Sequence, residues 1–280
     1  MARIGSLLLA ALGAGCAAAA AAGGAVLYAV APGRPYDGTM KPFVGRNFAH
    51  RGLHSGDSAI PENTMPAFKA AVEKEYGIEL DLQLSADGEV VVFHDDDLKR
   101  ACGDPRKVCE VTFAELQEIP VFGSRETAPR FADVLALVGG KVPLLVELKT
   151  GKNNELLCEK TAALLDDYKG DYCVQSFDPR IVRWFRMFRP FVVRGQLITE
   201  KKEYKDQSDL TAVILSGGLM NWFARPQFIN HALVKKAKTV EIAEKLGAVT
   251  GCWVARSAGY EKLNDFVVFE GFRPPVTFEK

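Results

Sequence analysis

The sequence predicts an α/β protein with an (α/β)8 TIM barrel, preceded by one amino-terminal hydrophobic helix, and three observations support this fold. Short apolar runs alternate with segments long enough to hold a helix, which is typical of repeated strand–helix units. Polar residues stand at the ends of several runs, where a parallel barrel places its active site. A chain of 280 residues that is 48% hydrophobic can also build one large core.

The first half of the chain contains four apolar runs that we interpret as buried strands. They are NFA before His50 and Arg51, GIELDLQL with Glu79 and Asp81, EVVVF before His94, and PLLVELKT with Glu147 and Lys149. Side chains at i and i+2 of a strand point the same way, so the polar pairs in the second and fourth runs each share a face. We therefore predict that three carboxylates, a lysine and two histidines converge on one mouth.

The intervening helices are predicted from capping residues and apolar spacing. One begins near Asn63 or Thr64, with Pro66 in its first turn, and Thr112–Glu115 forms a capping box. Further helices are FADVLALV, about Glu155–Tyr168, and Arg180–Phe188. YCVQSF and VVRGQLI continue the strands, and QFINHA, AVTGCWVA and FVVFEG compete for the two remaining barrel positions. The tight turn SADG indicates a local departure from strict alternation.

The amino terminus differs from the rest of the chain because Ile4–Gly33 contains no charged residue. This run exceeds the roughly 20 residues that span a bilayer. With Arg3 kept on the cytoplasmic side, we expect a signal anchor and connector over residues 1–36 and the barrel over residues 37–280. The protein would be membrane-anchored with its barrel domain extracytoplasmic. Secretion after signal cleavage is the alternative.

The charge balance limits the possible binding partners, and the cysteines bear on the redox compartment of the protein. Thirty-five basic and thirty-five acidic residues balance, so we predict no nucleic-acid partner. Cys16 lies in the hydrophobic run, whereas Cys102 and Cys109 flank a turn-rich stretch. An oxidising compartment would permit these two to pair, and two free thiols are the alternative. We expect His54 and His231 to be exposed or to make ordinary hydrogen bonds.

Three blocks of the sequence carry a resemblance to a known family. AHRG at Ala49–Gly52, PENTMPAF at Pro61–Phe68 and IELDLQLSADGEVVVFHD at Ile78–Asp95 resemble, in order and spacing, the signature of the glycerophosphodiester phosphodiesterase family of the phospholipase C-like phosphodiesterase superfamily. VELK, QSFDP and CWV extend the similarity. The resemblance implies a TIM-barrel hydrolase of lipid metabolism. Such an enzyme would cleave glycerophosphodiesters to sn-glycerol 3-phosphate and an alcohol.

The resemblance also implies a divalent metal ion held by Glu79, Asp81 and Glu147. Two carboxylates at i and i+2 with a third from another strand make an oxygen-rich site for Ca²⁺ or Mg²⁺. The alternative is that these acids only pair with Lys149 and Arg51. Three buried acids cost more to bring together than two cations repay, which favours the metal.

Phosphodiester hydrolysis has three requirements. The negative charge of the phosphate must be neutralised, the nucleophile must be activated, and the leaving alkoxide must be protonated. Arg51 can help the metal with the first task. His50 and His94 can perform the others as a general acid–base pair, because the unperturbed pKa of histidine is about 6.5. Two routes remain open, namely attack by a neighbouring glycerol hydroxyl to give a cyclic phosphate first, or direct attack by water.

Five further residues are expected to contact substrate or to support the metal ligands: Glu62, Asn63, Lys149, Gln175 and Trp253. For Glu62, direct metal binding is the alternative. A Trp face offers apolar contact to the alcohol group, and a core position is the alternative for Trp253. The sequence WVAR and the final FEGFRP depart from the family pattern of WTVN and a TD-containing strand. The specificity for the alcohol group is therefore open.

Two other functions compete with glycerophosphodiester hydrolysis. A lysophospholipase D-like hydrolase of lipid phosphodiesters is favoured by the hydrophobic run and by the aromatic helix containing Trp184–Phe188. A barrel that binds an envelope component without catalysis is the other. A binding module has no need of two acid–base histidines beside a metal site, which argues against a non-catalytic barrel.

Overall fold

The computed structural model describes residues 21–205 and 207–280. Eight parallel strands close into a barrel in the order β1, β2, β4, β5, β6, β7, β8, β9, with β9 pairing back to β1. The strands are β1 Arg46–Ala49, β2 Gly77–Leu84, β3 Val90–Val92, β4 Leu144–Leu148, β5 Tyr172–Ser176, β6 Val193–Ile198, β7 Phe228–Ala232, β8 Val249–Ala255 and β9 Phe266–Phe269. The predicted TIM-barrel fold is confirmed.

Strand β3 is the exception, because it lies outside the closed ring and pairs antiparallel with the carboxyl end of β2. The connecting turn explains the geometry. Gly88 adopts φ +78°, and the Ser85 amide donates to the Glu89 carbonyl at 3.0 Å. A parallel partner would need a crossover of a dozen or more residues. The prediction that EVVVF is a strand of the parallel barrel was therefore wrong. Its place in the ring is free for another strand, so QFINHA, AVTGCWVA and FVVFEG all contribute barrel strands.

Helices surround the barrel and follow the predicted caps closely. They are α1, described over residues 21–30, α2 Met65–Glu73, α3 Lys99–Cys102, α4 Phe113–Leu116, α5 Phe131–Val138, α6 Asn154–Asp166, α7 Pro179–Phe188, α8 Asp209–Ser216, α9 Asn221–Ala224 and α10 Lys238–Lys245. Thr64 occupies the N-cap position of α2, with proline in the first turn, but its hydroxyl donates to the Pro61 carbonyl. The Thr112 hydroxyl accepts from the Glu115 amide as the capping box predicts. Helix α6 ends two residues earlier than expected.

The amino-end half of the barrel interior is filled by aromatic rings. Phe48, Phe228 and Phe266 pack edge to face, with ring centroids 5.8 Å apart for the first and third and 5.4 Å for the second and third. Glycines make room for them, because a Cβ atom at Gly195 or Gly251 would overlap a phenylalanine ring. This apolar layer supports the polar mouth above it.

The chain enters the barrel at this amino end. Met40 and Phe43 are buried in the aromatic layer, and Val30 packs against Ile229 and neighbouring side chains beside β7. Within residues 21–205 and 207–280, no helix combines the length and the apolar character that a bilayer crossing requires. Residues 4–20 of the predicted anchor lie outside the described residues.

The cysteines of the described residues are free thiols. Cys102 and Cys109 are half-buried and unbonded, so the free-thiol alternative holds and the disulfide alternative is wrong for this structure. Burial, with a smaller contribution from Asp104, raises the pKa of Cys102 to about 11. Cys16 lies outside the described residues.

Candidate active site

Three carboxylates lie buried together at the carboxyl end of the barrel. Glu79 and Asp81 from β2 and Glu147 from β4 are 3%, 1% and 7% exposed, and their oxygen atoms lie within 4.8 Å of one another. The strands place them there because Asp81 and Glu147 are partners in the β2–β4 register. Burial, then repulsion by the other two carboxylates, raises the pKa of Glu79 well above its ordinary value. A divalent cation would relieve this repulsion.

Two cations partly compensate the cluster. The Lys149 ammonium lies 2.7 Å from a Glu147 oxygen and 3.4 Å from an Asp81 oxygen. Burial raises the pKa of Asp81, but the charge interactions with Lys149, His94 and Arg51 and the hydrogen bond from Asn63 outweigh it, so the pKa falls below its usual range. In the described part of the chain, no side-chain nitrogen of a lysine or arginine lies within 4.0 Å of a Glu79 oxygen. The donor set therefore fits a hard divalent ion better than simple ion pairing.

Asn63 and Glu62 belong to the loop before α2. The Asn63 amide donates to an Asp81 oxygen at 2.9 Å. One Glu62 oxygen accepts from Arg51 and from Arg100, each at 2.7 Å. Burial would raise the pKa of Glu62, but the two guanidinium groups lower it. Glu62 thus positions Arg51, and only the other three acids form the carboxylate cluster.

His50 follows β1 directly and is held by a carboxylate that the sequence analysis did not identify. Its Nδ1 lies 3.1 Å from Glu270, which follows β9. The hydrogen bond to His50 lowers the pKa of Glu270 to about 2, so Glu270 is ionised near neutral pH. Burial lowers the pKa of His50 by more than Glu270 raises it. A neutral ring that donates from Nδ1 carries its lone pair on Nε2, as a general base requires.

His94 reaches the mouth from outside the barrel ring, in the loop after β3. Its Nδ1 lies 2.7 Å from Asp95, and Asp95 pairs with Arg100 of α3. The Gln83 side-chain amide fixes this loop by donating to the carbonyls of Phe93 and Asp95 at 3.0 and 2.7 Å. Each histidine is therefore paired with its own carboxylate.

The two histidines and most of the charged groups around them border one cavity of about 370 Å³, whereas the predicted site residues Asn63 and Asp81 lie behind its wall. Nine predicted site residues line it, namely His50, Arg51, Glu62, Glu79, His94, Glu147, Lys149, Gln175 and Trp253. The Asn230 amide donates to Gln175 at 2.9 Å, and the Trp253 indole donates to the Asn230 carbonyl at 3.2 Å. Phe177 packs edge to face on Trp253, with ring centroids 5.6 Å apart. Trp253 therefore lies on the cavity wall.

Arg100, Asn230 and Glu270 also line the cavity but were missed. Glu270 could have been found, because it follows its strand just as His50 follows β1. Asn230 lies two residues after an inward phenylalanine. Arg100 lies on the short helix α3, and no sequence pattern around it indicates that it reaches the cavity.

The other two histidines differ from each other. His231 is buried and its Nδ1 lies 2.6 Å from the Ala232 carbonyl, which confirms the expected ordinary hydrogen bond. The expectation for His54 was wrong. Its Nδ1 is buried without a hydrogen-bond partner, and the ring lies beside His50 and Glu270. The loop after β1 folds back over the mouth, which local sequence does not reveal.

Fold and site together define a class: TIM-barrel proteins whose mouth holds a candidate divalent-metal site between two histidines. The chain belongs to the glycerophosphoryl diester phosphodiesterase family, whose model matches residues 50–265. This match confirms the resemblance and spans most of the barrel.

Curated relatives agree with this assignment. YhdW of Bacillus subtilis is 35% identical over 154 residues, which cover 51% of this chain and 62% of YhdW. The glycerophosphodiester phosphodiesterase of Caldanaerobacter subterraneus subsp. tengcongensis is 39% identical over 107 residues, or 35% of this chain and 44% of that protein. The chain thus matches less than two thirds of the length of these two relatives. Human lysophospholipase D GDPD1 is 30% identical over 46% of this chain and 44% of its own length.

Solved structures share the fold. An Oleispira antarctica phosphodiesterase in complex with the product sn-glycerol-3-phosphate has a TM-score of 0.66 and 20% identity, covering 81% of this chain and 93% of that one. The glycerophosphodiester phosphodiesterase of Thermotoga maritima has a TM-score of 0.59 and 24% identity, covering 80% and 93%. At these identities the likeness supports the TIM barrel alone.

Proposed function

We propose that this protein hydrolyses glycerophosphodiesters to sn-glycerol 3-phosphate and an alcohol with the help of a divalent metal ion. One observation carries the proposal: two carboxylate-paired histidines border the same cavity as Glu79 and Glu147, which belong to a cluster of three buried carboxylates. Family membership supports the same reaction. Release of sn-glycerol 3-phosphate from glycerophosphocholine and related diesters tests it, and no release from any member of the panel would contradict it.

The phosphate group would be held by cationic groups at the mouth. Arg51 is oriented by Glu62, and its backbone amide donates to Glu79 at 3.1 Å. Burial alone would lower the pKa of Lys149, but Glu147 and Asp81 raise it, so its ammonium stays charged. A divalent ion bound by Glu79, Asp81 and Glu147 would supply further neutralisation of the developing negative charge.

Proton transfer falls to the two histidines. One accepts the proton of the attacking hydroxyl or water, and the other donates a proton to the leaving alkoxide. Glu270 and Asp95 orient the rings and stabilise the imidazolium form of each, as a carboxylate does for a catalytic histidine. His50 has the neutral form favoured by burial, which suits it to the role of base.

We propose Ca²⁺ or Mg²⁺ as the metal, because the cluster offers only carboxylate oxygens. Exhaustive chelation should abolish turnover, and re-addition of each ion separately identifies the one that restores it. Full activity after chelation would rule out the metal.

A lysophospholipase D-like activity is the second candidate, and a second cavity of about 480 Å³ favours it. Phe177 borders both cavities, and the second is lined by Tyr204, Ile214, Leu215 and Met220. Such an apolar space would accept the hydrocarbon chain of a lipid diester. Human lysophospholipase D GDPD1 is among the relatives, which adds support.

A substrate panel separates the candidates. Glycerophosphocholine and lysophosphatidylcholines of increasing chain length are assayed with the metal and with chelator. A kcat/KM that rises with chain length favours the lipid substrate, and a flat or falling series favours water-soluble diesters. Binding of either compound without turnover would instead support the non-catalytic barrel.

For location we propose a membrane anchor with the barrel facing outward. The uncharged run Ile4–Gly33 after Arg3 supports it, and the chain joins the barrel at the end opposite the mouth. Cell fractionation combined with protease treatment of intact cells tests both parts. Recovery in the cytosol contradicts the anchor, protection from external protease reverses the orientation, and release into the medium supports secretion.

A further inference from the structure

We propose that His50, His54 and Glu270 form a second metal site, which binds a transition-metal ion of the Zn²⁺ type and thereby inhibits the enzyme. The site is distinct from the carboxylate cluster, although both lie at the mouth. The inhibitory consequence rests on the proposed role of His50 as a base, whereas the binding site itself does not.

The geometry of these three residues meets the first requirement of a metal site. Each offers one ligand atom within 4.8 Å of the other two, and all three side chains are half-buried. Nδ1 of His50 already lies 3.1 Å from a Glu270 oxygen. Small side-chain rotations would bring the ligand atoms around one ion.

His54 supplies the second, independent observation. Its Nδ1 is buried but has no hydrogen-bond partner, although buried polar atoms are nearly always satisfied. The backbone on both sides is fixed, because the Leu53 amide donates to Ala67 and the Ser55 amide donates to Ile60, each at 2.9 Å. The ring is therefore held beside His50 and Glu270 with an unused nitrogen.

The donor atoms separate this site chemically from the carboxylate cluster. Two imidazole nitrogens and one carboxylate suit Zn²⁺ and similar ions, with water or substrate as a fourth ligand. Three carboxylates suit Ca²⁺ and Mg²⁺. Arg256 opposes a cation here, since its guanidinium lies 3.4 Å from Glu270, but its side chain is 75% exposed and free to turn away.

Occupancy of this site would remove His50 from catalysis. Coordination through Nδ1 uses the lone pair of that nitrogen and displaces its hydrogen bond to Glu270. The ring proton then resides on Nε2, so Nε2 can no longer accept a proton. The ion therefore converts a base into a group that cannot act as one.

The test uses the full-length protein saturated with its activating Ca²⁺ or Mg²⁺. Zn²⁺ is titrated while turnover is followed for the wild type, for His54→Asn, and for Asp57→Asn as a control in the same loop but outside the cluster. We expect inhibition of the wild type and the control. His54→Asn should keep its basal turnover and need at least about tenfold more Zn²⁺, the loss expected for an altered metal site.

A binding measurement keeps the inference independent of activity. Two variants are compared: Glu79→Gln, which disrupts the carboxylate cluster, and the double variant that also carries His54→Asn. The Zn²⁺ affinity of each is measured by competition with a chromophoric chelator. We expect tight binding in the first and at least about tenfold weaker binding in the second. Equal affinity in both variants, or equal inhibition of wild type and His54→Asn, would overturn the second site. Zn²⁺ binding in a protein without phosphodiesterase activity would overturn the proposed function alone.

Discussion

The two ends of the barrel interior are built from the same strands, two residues apart, yet they differ completely in chemistry. Phe48 in the amino-end layer is followed two residues later by His50 at the mouth, just after β1 ends, and Phe228 is followed two residues later by Asn230 on β7. The amino-end layer is satisfied by packing alone. The mouth brings together carboxylates whose repulsion raises the pKa of Glu79.

The difference teaches that stability and function occupy separate layers of one scaffold. Rings that pack into glycine-lined space lower the free energy of the fold without any polar partner. Buried carboxylates raise it until a cation binds. Substitutions in the amino-end layer should therefore alter the free energy of unfolding, whereas substitutions at the mouth should alter turnover and metal binding.

The largest expected effect is on turnover at the mouth. His50→Ala and His94→Ala should each lower kcat by about 10² to 10⁴, because each removes a general acid or base. The melting temperature should stay close to that of the wild type. Stopped assays and thermal melts measure the two quantities. A variant that retains near wild-type kcat would refute the role of that histidine.

The second effect concerns metal binding, measured as thermal stability with and without Ca²⁺ or Mg²⁺. An ion at about 100 times its Kd stabilises the folded protein by about 2.7 kcal/mol. Glu79→Gln should lose this increment and should melt higher than the wild type in chelator, because one repelling carboxylate is gone. Glu118→Gln, at an exposed position just after α4, is the control for the same change of charge. An undiminished metal response in Glu79→Gln would contradict the ligand assignment.

The third effect belongs to the amino-end layer. Gly195→Ala should cost about 1–3 kcal/mol of unfolding free energy, since the added methyl group overlaps the Phe228 ring. Gly151→Ala, where the methyl group meets no atom within 4 Å, should change the stability by less than about 0.5 kcal/mol. Denaturant titration gives both values. Equal stability of the two variants would mean that the aromatic layer repacks freely.

The smallest effect is a shift of the pH profile. A base works above its pKa, and Glu270 raises the pKa of His50, so Glu270→Gln should move the acidic limb of kcat/KM to lower pH. Replacing a charged hydrogen bond by a neutral one costs about 1 kcal/mol, or about fivefold in rate. A shift of the limb to higher pH would show that Glu270 does not act on this base.

Much of the fold followed from local pattern. Apolar runs ending in polar residues located the barrel strands, and the Thr112 capping box located a helix start. The polar residues at i and i+2 of β2 do share the barrel interior. These features depend on residues close in sequence, whose alternation or spacing expresses the geometry of one strand or one helical turn.

Other features depended on contacts between distant segments. The strand before His94 resembles a barrel strand in composition, and only its turn and pairing place it outside the ring. His54 and Glu270 are more than two hundred residues apart, yet they lie together because β1 pairs with β9 when the barrel closes. Periodicity predicts which face of a strand is buried, whereas the pairing of strands and the folding of loops depend on the whole core, which no local pattern contains.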